Sequence, residues 1–203
     1  MLFFYFYFYF MKEVQRCSWC EGDALYTAYH DTEWGVPLFD DEALFEFLLL
    51  ETFQAGLSWI TILRKRQHFH AAFDAFDYRK IAAYTDRKVA ALMENPGIIR
   101  NRQKIQAALS NAQAFQELQA QYGSFSNYFW GFTDGKPIQN EFKTLSEIPP
   151  FTPLATTLSK DLKQKGFKFV GPTVIYAHMQ ATGLVNDHLV SCFRHQEVQG
   201  LKT

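Results

Sequence analysis

Beyond its first residues the chain has no apolar run approaching the roughly 20 residues of a membrane span. It also lacks an export signal, because the opening stretch has neither a basic region nor a small-residue cleavage site. Cysteine is scarce, and three residues leave no paired framework, which argues against a disulfide scaffold and fits a reducing compartment. Alternating strand patterns are missing after residue 10, as are internal repeats and low-complexity tracts. Net charge is nearly absent, −1 from 20 basic and 21 acidic side chains, so no global field advertises a polyanionic partner. With 48% hydrophobic and 20% charged residues over 203 positions, the composition excludes a disordered chain and allows a substantial core. The expectation is a soluble cytoplasmic protein, of bacterial type, acting as a monomer without membrane contact.

What is abundant is aromatic: 21 Phe and 10 Tyr, with the run FFYFYFYF at residues 3–10. As a strand that run would be aromatic on both faces, an aggregation hazard if exposed. Residues 1–10 are therefore expected to be a non-native or disordered extension ahead of a natural start at Met11. The alternative is a hydrophobic arm docking on the domain or on a second chain. Residues 11–203 are expected to form a single domain.

Helix signals dominate the rest. Asp23 is placed to cap a helix through Tyr29 and His30. Asp40 is placed to cap DEALFEFLLLETFQ, whose Leu44, Phe45, Leu48 and Leu49 share a face. Gly56 breaks that helix, and Ser58 is placed to cap WITILRKR. Further helices are expected over 86–93, 98–121, 154–165, 172–182 and 187–193, with Pro149, Pro150 and Pro153 marking a linker. The fold class is all-α.

The near-neutral total hides a polarity. Residues 17–59 carry Asp and Glu but no Lys or Arg, whereas residues 60–110 and 160–168 are rich in Lys and Arg. Such runs are either solvated helix faces or segments converging on a polyanion.

Three constellations could carry chemistry. Cys17-x12-His30 and His188-x3-Cys192 supply two thiols and two imidazoles, the donor set of a closed tetrahedral zinc site. On a helix, His188 and Cys192 would share a face. The alternative is a buried cysteine with unrelated histidines, and Cys20 adds a further possible ligand or a redox partner for Cys17. Next, Lys168 to Thr173, KFVGPT, reads as a glycine turn between helices, either structural or offering amides and charge to a phosphate through Gly171, Thr173 and Lys168. Lastly, Glu51 follows Phe47-Leu48-Leu49-Leu50, so it is either rotated to solvent or held in a pocket for a task. With Tyr26, Tyr29 and Trp59 nearby in sequence, a ringed carboxylate suits a planar, electron-poor ligand.

The residues Arg16-Cys17-x-Trp19, Tyr26-x-Ala28-Tyr29-His30-Asp31-x-Glu33-Trp34-Gly35-Val36-Pro37 and Gln54-Ala55-Gly56-Leu57-Ser58-Trp59-Ile60-Thr61 resemble the DNA-3-methyladenine glycosylase I family. The likeness continues through Gly97-Ile98-Ile99-Arg100, Lys104-Ile105-Gln106-Ala107, Leu145-Ser146-Glu147-Ile148-Pro149, Lys165 to Gly171, and Gly183-Leu184-Val185-Asn186-Asp187-His188. It spans about residues 16–193.

This resemblance implies a helix-hairpin-helix glycosylase fold. It also implies one structural Zn2+ held by Cys17, His30, His188 and Cys192, joining the N- and C-terminal segments. Cys20 lies off the family pattern. The family's base pocket maps onto Glu51, Trp59, Tyr29, Tyr26 and Trp19, and its phosphate-binding hairpin onto Lys168 to Thr173. The implied substrate is double-stranded DNA carrying an alkylated base, flipped out before its N-glycosidic bond is hydrolysed. Leu57 is a candidate for filling the gap in the duplex, the alternative being core packing. Glu51 is the expected recognition and catalytic group. Asp187 is a second catalytic candidate, set against a structural role beside His188. Two other function classes stay in view: a non-catalytic zinc-stapled DNA-binding module, and a thiol redox protein using Cys17 and Cys20.

Overall fold

The structure is a computed structural model that describes residues 14–201. The aromatic run at 1–10 and the start at Met11 lie outside the described residues.

Helices α1 (Ala24–Thr32) and α2 (Asp41–Gln54) begin where the sequence places their caps. The Asp23 and Asp40 carboxylates accept the backbone N–H groups of Tyr26 and Ala43. Nearly all of α2 from Leu44 to Phe53 is buried. A helix apolar on every side belongs in the middle of a protein. Accordingly α2 packs against α3 (Trp59–Ala72), α6 (Arg102–Tyr122), α7 (Phe125–Trp130) and α9 (Pro172–Ala181). Gly56 ends it with φ +83°, a left-handed turn that strains any other residue. Much of the aromatic content fills this centre: Phe115 stacks on Phe125 with ring centroids 4.2 Å apart, and Phe45 meets Phe115 edge-on at 5.1 Å.

The smaller elements are α4 (Tyr78–Ala82), α5 (Asp86–Glu94), α8 (Pro153–Gln164) and α10 (Phe193–Gln199). Strand β1 (Ile138–Gln139) pairs in parallel with β2 (Val185–Asn186). Helices α8 and α9 pack together, and residues 165–171 turn between them. That turn is pinned from outside. Asn111 of α6 accepts the Lys168 N–H at 2.7 Å and donates to the Lys168 carbonyl at 3.1 Å. Ser159 donates to the Val170 carbonyl at 2.6 Å.

Several expectations need correction. No helix covers residues 187–192; β2 precedes them, and the Asn186 carboxamide accepts the His188 N–H in a turn, so α10 starts only at Phe193. The helix expected from residue 98 begins at Arg102, because Asn101 is extended and caps it through Lys104 N–H. Ser58 precedes α3 but its hydroxyl pairs with that of Thr61 instead of a backbone N–H. The short helices α4 and α7 and the β1–β2 pair had no sequence signal. Part of the segregated charge meets its opposite: Arg64 pairs with Asp23, Arg66 with Glu33 and Glu46, and Arg79 with Glu42.

Helix α7 depends on a residue from far away. Asp41 accepts the N–H groups of Phe125 and Ser126 at 2.9 and 2.8 Å and the Gln119 amide at 2.6 Å. Replacing it orphans two helix-start amides, so Asp41→Ala should cost about 1–3 kcal/mol in urea unfolding.

Candidate functional site

Helix α1 does two jobs through its spacing. Tyr26 and Tyr29, three apart, face one side, and His30 is turned about 100° further round the helix axis. The tyrosines line a cavity of about 220 Å³, together with Trp19, Glu51 and Trp59. This is smaller than the roughly 300–1,000 Å³ of drug-sized ligand sites and suits one flat ring system. Tyr29 and Trp59 lie 5.5 Å apart between centroids at 52°, and Trp19 stands edge-on to Trp34 at 5.0 Å. All five aromatic and acidic residues singled out for base binding thus meet in one place. Trp34, Gln54, Ile148, Ala177 and Gln180 complete the wall. Trp34 sits inside a quoted motif, but nothing in its sequence context distinguishes a wall residue from core. Gln180 had no local signal at all.

Glu51 is 3% exposed, near the end of α2. Its Oε2 has no hydrogen-bond partner, and neither has the indole N–H of Trp59. A buried acceptor and a buried donor left unpaired in the same cavity are costly in isolation and await a ligand that satisfies both. Burial alone pushes the Glu51 carboxyl up to about 8. Burial raises Tyr29 as well, with the Glu51 charge adding to it.

On the far side of α1 a second cluster forms. Cys17, His30, His188 and Cys192 are all buried, with their four ligand atoms within 4.8 Å of one another. The Sγ–N separations are 3.8 Å for Cys17–His188, 3.5 Å for Cys192–His30 and 3.7 Å for Cys192–His188. A tetrahedral zinc with ordinary bond lengths sets S···N edges of about 3.6 Å. The outer contacts fit as well. His188 donates from Nε2 to the Trp34 carbonyl at 3.0 Å, and His30 from Nδ1 to Asp31 at 2.8 Å, so each turns its other nitrogen towards the thiols. Arg16 in turn grips Asp31 through Nε and Nη2. The donor set therefore fits a structural zinc ion, supplied by a turn at 188–192 and not by the expected helix face. Cys20 stays outside the set. Its thiol donates to the Cys17 carbonyl at 3.1 Å, and burial pushes it up to about 11, the opposite of an activated redox thiol.

The remaining predicted residues lie outside the cavity lining. Leu57 is 41% exposed at the turn after α2, not packed in the core. Gly171 is the N-cap of α9, with Thr173 exposed in its first turn and Lys168 exposed in the turn before it. Asp187 is buried, and its oxygens are occupied by Asn140, Tyr176 and Gln180; it does not bond the His188 ring. No helix among the described residues is long and apolar enough to cross a membrane.

Known proteins resemble the chain over most of its length. The Methyladenine glycosylase family profile matches residues 19–195. DNA-3-methyladenine glycosylase 1 of Escherichia coli (strain K12) is 49% identical over 179 residues, 88% of this chain and 96% of that one. DNA-3-methyladenine glycosylase of Haemophilus influenzae (strain ATCC 51907 / DSM 11121 / KW20 / Rd) is 46% identical over 87% of this chain and 96% of its own. A crystal structure of a 3-methyladenine DNA glycosylase I variant in complex with 3-methyladenine superposes with a TM-score of 0.85 at 40% identity, covering 88% and 96% of the two chains.

The buried carboxyl makes a stability prediction. Glu51 holds its proton in the fold up to about pH 8 but loses it near 4.5 when unfolded. The folded state binds the extra proton between those values, so stability is fully present at low pH and declines as pH rises. Wild type should lose about 1.4 kcal/mol per pH unit between roughly pH 5 and 8 relative to Glu51→Gln. Urea midpoints of the two proteins at pH 5 and pH 8.5 measure the difference.

Proposed function

The chain belongs to the Methyladenine glycosylase family, and from that premise we propose how its residues carry out the family's reaction. The protein is a DNA-3-methyladenine glycosylase of base-excision repair, hydrolysing the N-glycosidic bond of the alkylated base. The single observation supporting the site assignment is the unpaired, buried Glu51 Oε2 inside an aromatic cavity.

Methylating N3 of an adenine already bonded to deoxyribose at N9 leaves a formal positive charge on the ring. The base in duplex DNA must leave the stack to reach the cavity. Trp59 and Tyr29 favour a cationic ring by stacking, and Glu51 gains an opposite charge that offsets its lost hydration. Ionised, Glu51 accepts hydrogen bonds from the exocyclic amine and repels the keto oxygen of guanine. As the bond to C1′ breaks, positive charge shifts to the sugar, and the same carboxylate stabilises it. The alkylated base leaves as a neutral molecule, so little acid catalysis is required. Leu57, exposed beside Gly56, fills the gap in the duplex. The α8–α9 turn is the hairpin that receives a backbone phosphate through Lys168, Gly171 and Thr173. Asp187, its oxygens already engaged by Asn140, Tyr176 and Gln180, does not touch the base. A DNA-binding module without catalysis would have no use for a buried acid among aromatic rings.

Cys17, His30, His188 and Cys192 hold one zinc ion, which supplies structural cross-linking when bound. The geometry of their donor atoms and the carbonyl and carboxylate behind the two imidazoles support this reading. Metal analysis should find one zinc per chain, and stripping it should lower Tm by more than about 5 °C. Asp31→Asn should weaken zinc retention against a chelator by about 10–100-fold.

Excision tests the central claim. With ionised Glu51 required, kcat/KM on methylated DNA should rise with pH and level off above about 8. Glu51→Gln should fall by about 10²–10³ and lose that pH dependence. Full activity in that variant would refute the assignment.

A further inference from the structure

We propose that Gln180 is a specificity-determining residue: its side-chain carbonyl accepts one N–H of the exocyclic amine of the bound base while Glu51 takes the other. The inference rests on the glycosylase reading above and extends it. Gln180 lies on α9 and shares the cavity with Glu51 of α2. Its amide is oriented from behind. Nε2 donates to Asp187 Oδ2 at 2.7 Å, and Asp187 is 1% exposed.

A carboxylate only accepts, so the amide nitrogen must face it. The rest of the Asp187 shell is also composed of donors. The Tyr176 hydroxyl bonds the same oxygen at 2.5 Å, and Asn140 Nδ2 bonds the other at 2.7 Å. Turning the Gln180 amide over would set its oxygen against a buried carboxylate oxygen with no proton between them. The main chain is fixed too, since the Gln180 carbonyl accepts the Gly35 N–H at 3.1 Å.

Nε2 gives one of its two N–H groups to Asp187, which fixes the orientation of the amide, and among the described residues Oε1 has no protein partner and is left to accept. Together with the unpaired Oε2 of Glu51, the cavity offers two acceptors. An amine carries two hydrogens and matches both. A keto oxygen at the same position of the purine matches neither. On this geometry Asp187 is a positioning residue that acts through Gln180, which accounts for a buried carboxylate that does not line the cavity.

The test compares release of 3-methyladenine and 3-methylguanine from the same methylated duplex at subsaturating DNA. Gln180→Met keeps length and volume but removes the acceptor. It should reduce 3-methyladenine release about tenfold and 3-methylguanine release no more than about twofold. Asp187→Asn frees the amide to turn and should shift the ratio the same way. The double variant should show little further change in ratio, a non-additivity that a merely structural role for Asp187 does not produce.

Titrating free 3-methyladenine and free 3-methylguanine into the same proteins, followed by tryptophan fluorescence, reads the contact without excision. An unchanged ratio in folded Gln180→Met, in either assay, overturns the proposal. If wild type releases no base, the glycosylase reading falls while the free-base titration still decides the role of Gln180. Should Gln180→Met melt below the assay temperature, the ratio in Asp187→Asn decides instead, and an unchanged value there also overturns the proposal.

Discussion

Removing a carboxylate from water without giving it a partner is among the costlier things a fold can do, and the arrangement around Glu51 follows from that cost. Helix α2 is surrounded on every side, so a side chain near its end has no route to solvent except through the cavity. The rings of Tyr29 and Trp59 border the cavity without giving Glu51 Oε2 a hydrogen bond. The carboxyl therefore stays protonated to about pH 8 until something cationic or rich in donors arrives. On the proposed reading, discrimination between an alkylated base and an ordinary one comes from the difference between a charged and an uncharged occupant. Shape alone would reward a single methyl group weakly.

The cavity and the Cys/His cluster are not separate sites joined by a scaffold. Trp34 contributes its ring to one and its carbonyl to the other, and α1 supplies Tyr29 to the first and His30 to the second. Trp19 stands edge-on to both His30 and Trp34. Gly183 makes the closeness possible. A Cβ there would sit 2.4 Å from the backbone of Val36 and Pro37, so only glycine lets the segment leading to His188 lie against the loop after Trp34. His188 thus hydrogen-bonds the carbonyl of a residue that itself lines the cavity.

How much of this was legible in the sequence depended on the distance over which each feature is determined. The caps Asp23 and Asp40, the break at Gly56 and the shared face of Tyr26 and Tyr29 are local, and they stand in the structure where the residues put them. Glu51 among leucines was an anomaly visible from five residues. The turn at 187–192 was mistaken for a helix because its conformation follows from the pairing of β2 with a strand almost fifty residues earlier. Helix α7 has a local cap in Ser124 but is only six residues long, and its first two amides are held by Asp41, more than eighty residues away, a support that no local pattern shows. The same holds for charge: the runs read as solvated helix faces or as segments converging on a polyanion, and in space Arg64, Arg66 and Arg79 are engaged by acids of the other stretch. Gln180 was invisible because its meaning depends on which side of its amide Asp187 occupies.

The cluster that ties Cys17 and His30 to His188 and Cys192 also fixes an order of events during synthesis. The first two of these residues emerge from the ribosome early and wait for partners more than 150 positions downstream. The peptide carrying Trp34 is anchored only once His188 arrives. Helix α9, which packs against α2 and brings Ala177 and Gln180 to the cavity, is itself made only shortly before His188, so the surroundings of Glu51 are among the last parts completed. Prematurely terminated chains lacking the final fifteen or so residues would keep every side chain that lines the cavity but lose Cys192, one of the four members of the cluster behind it.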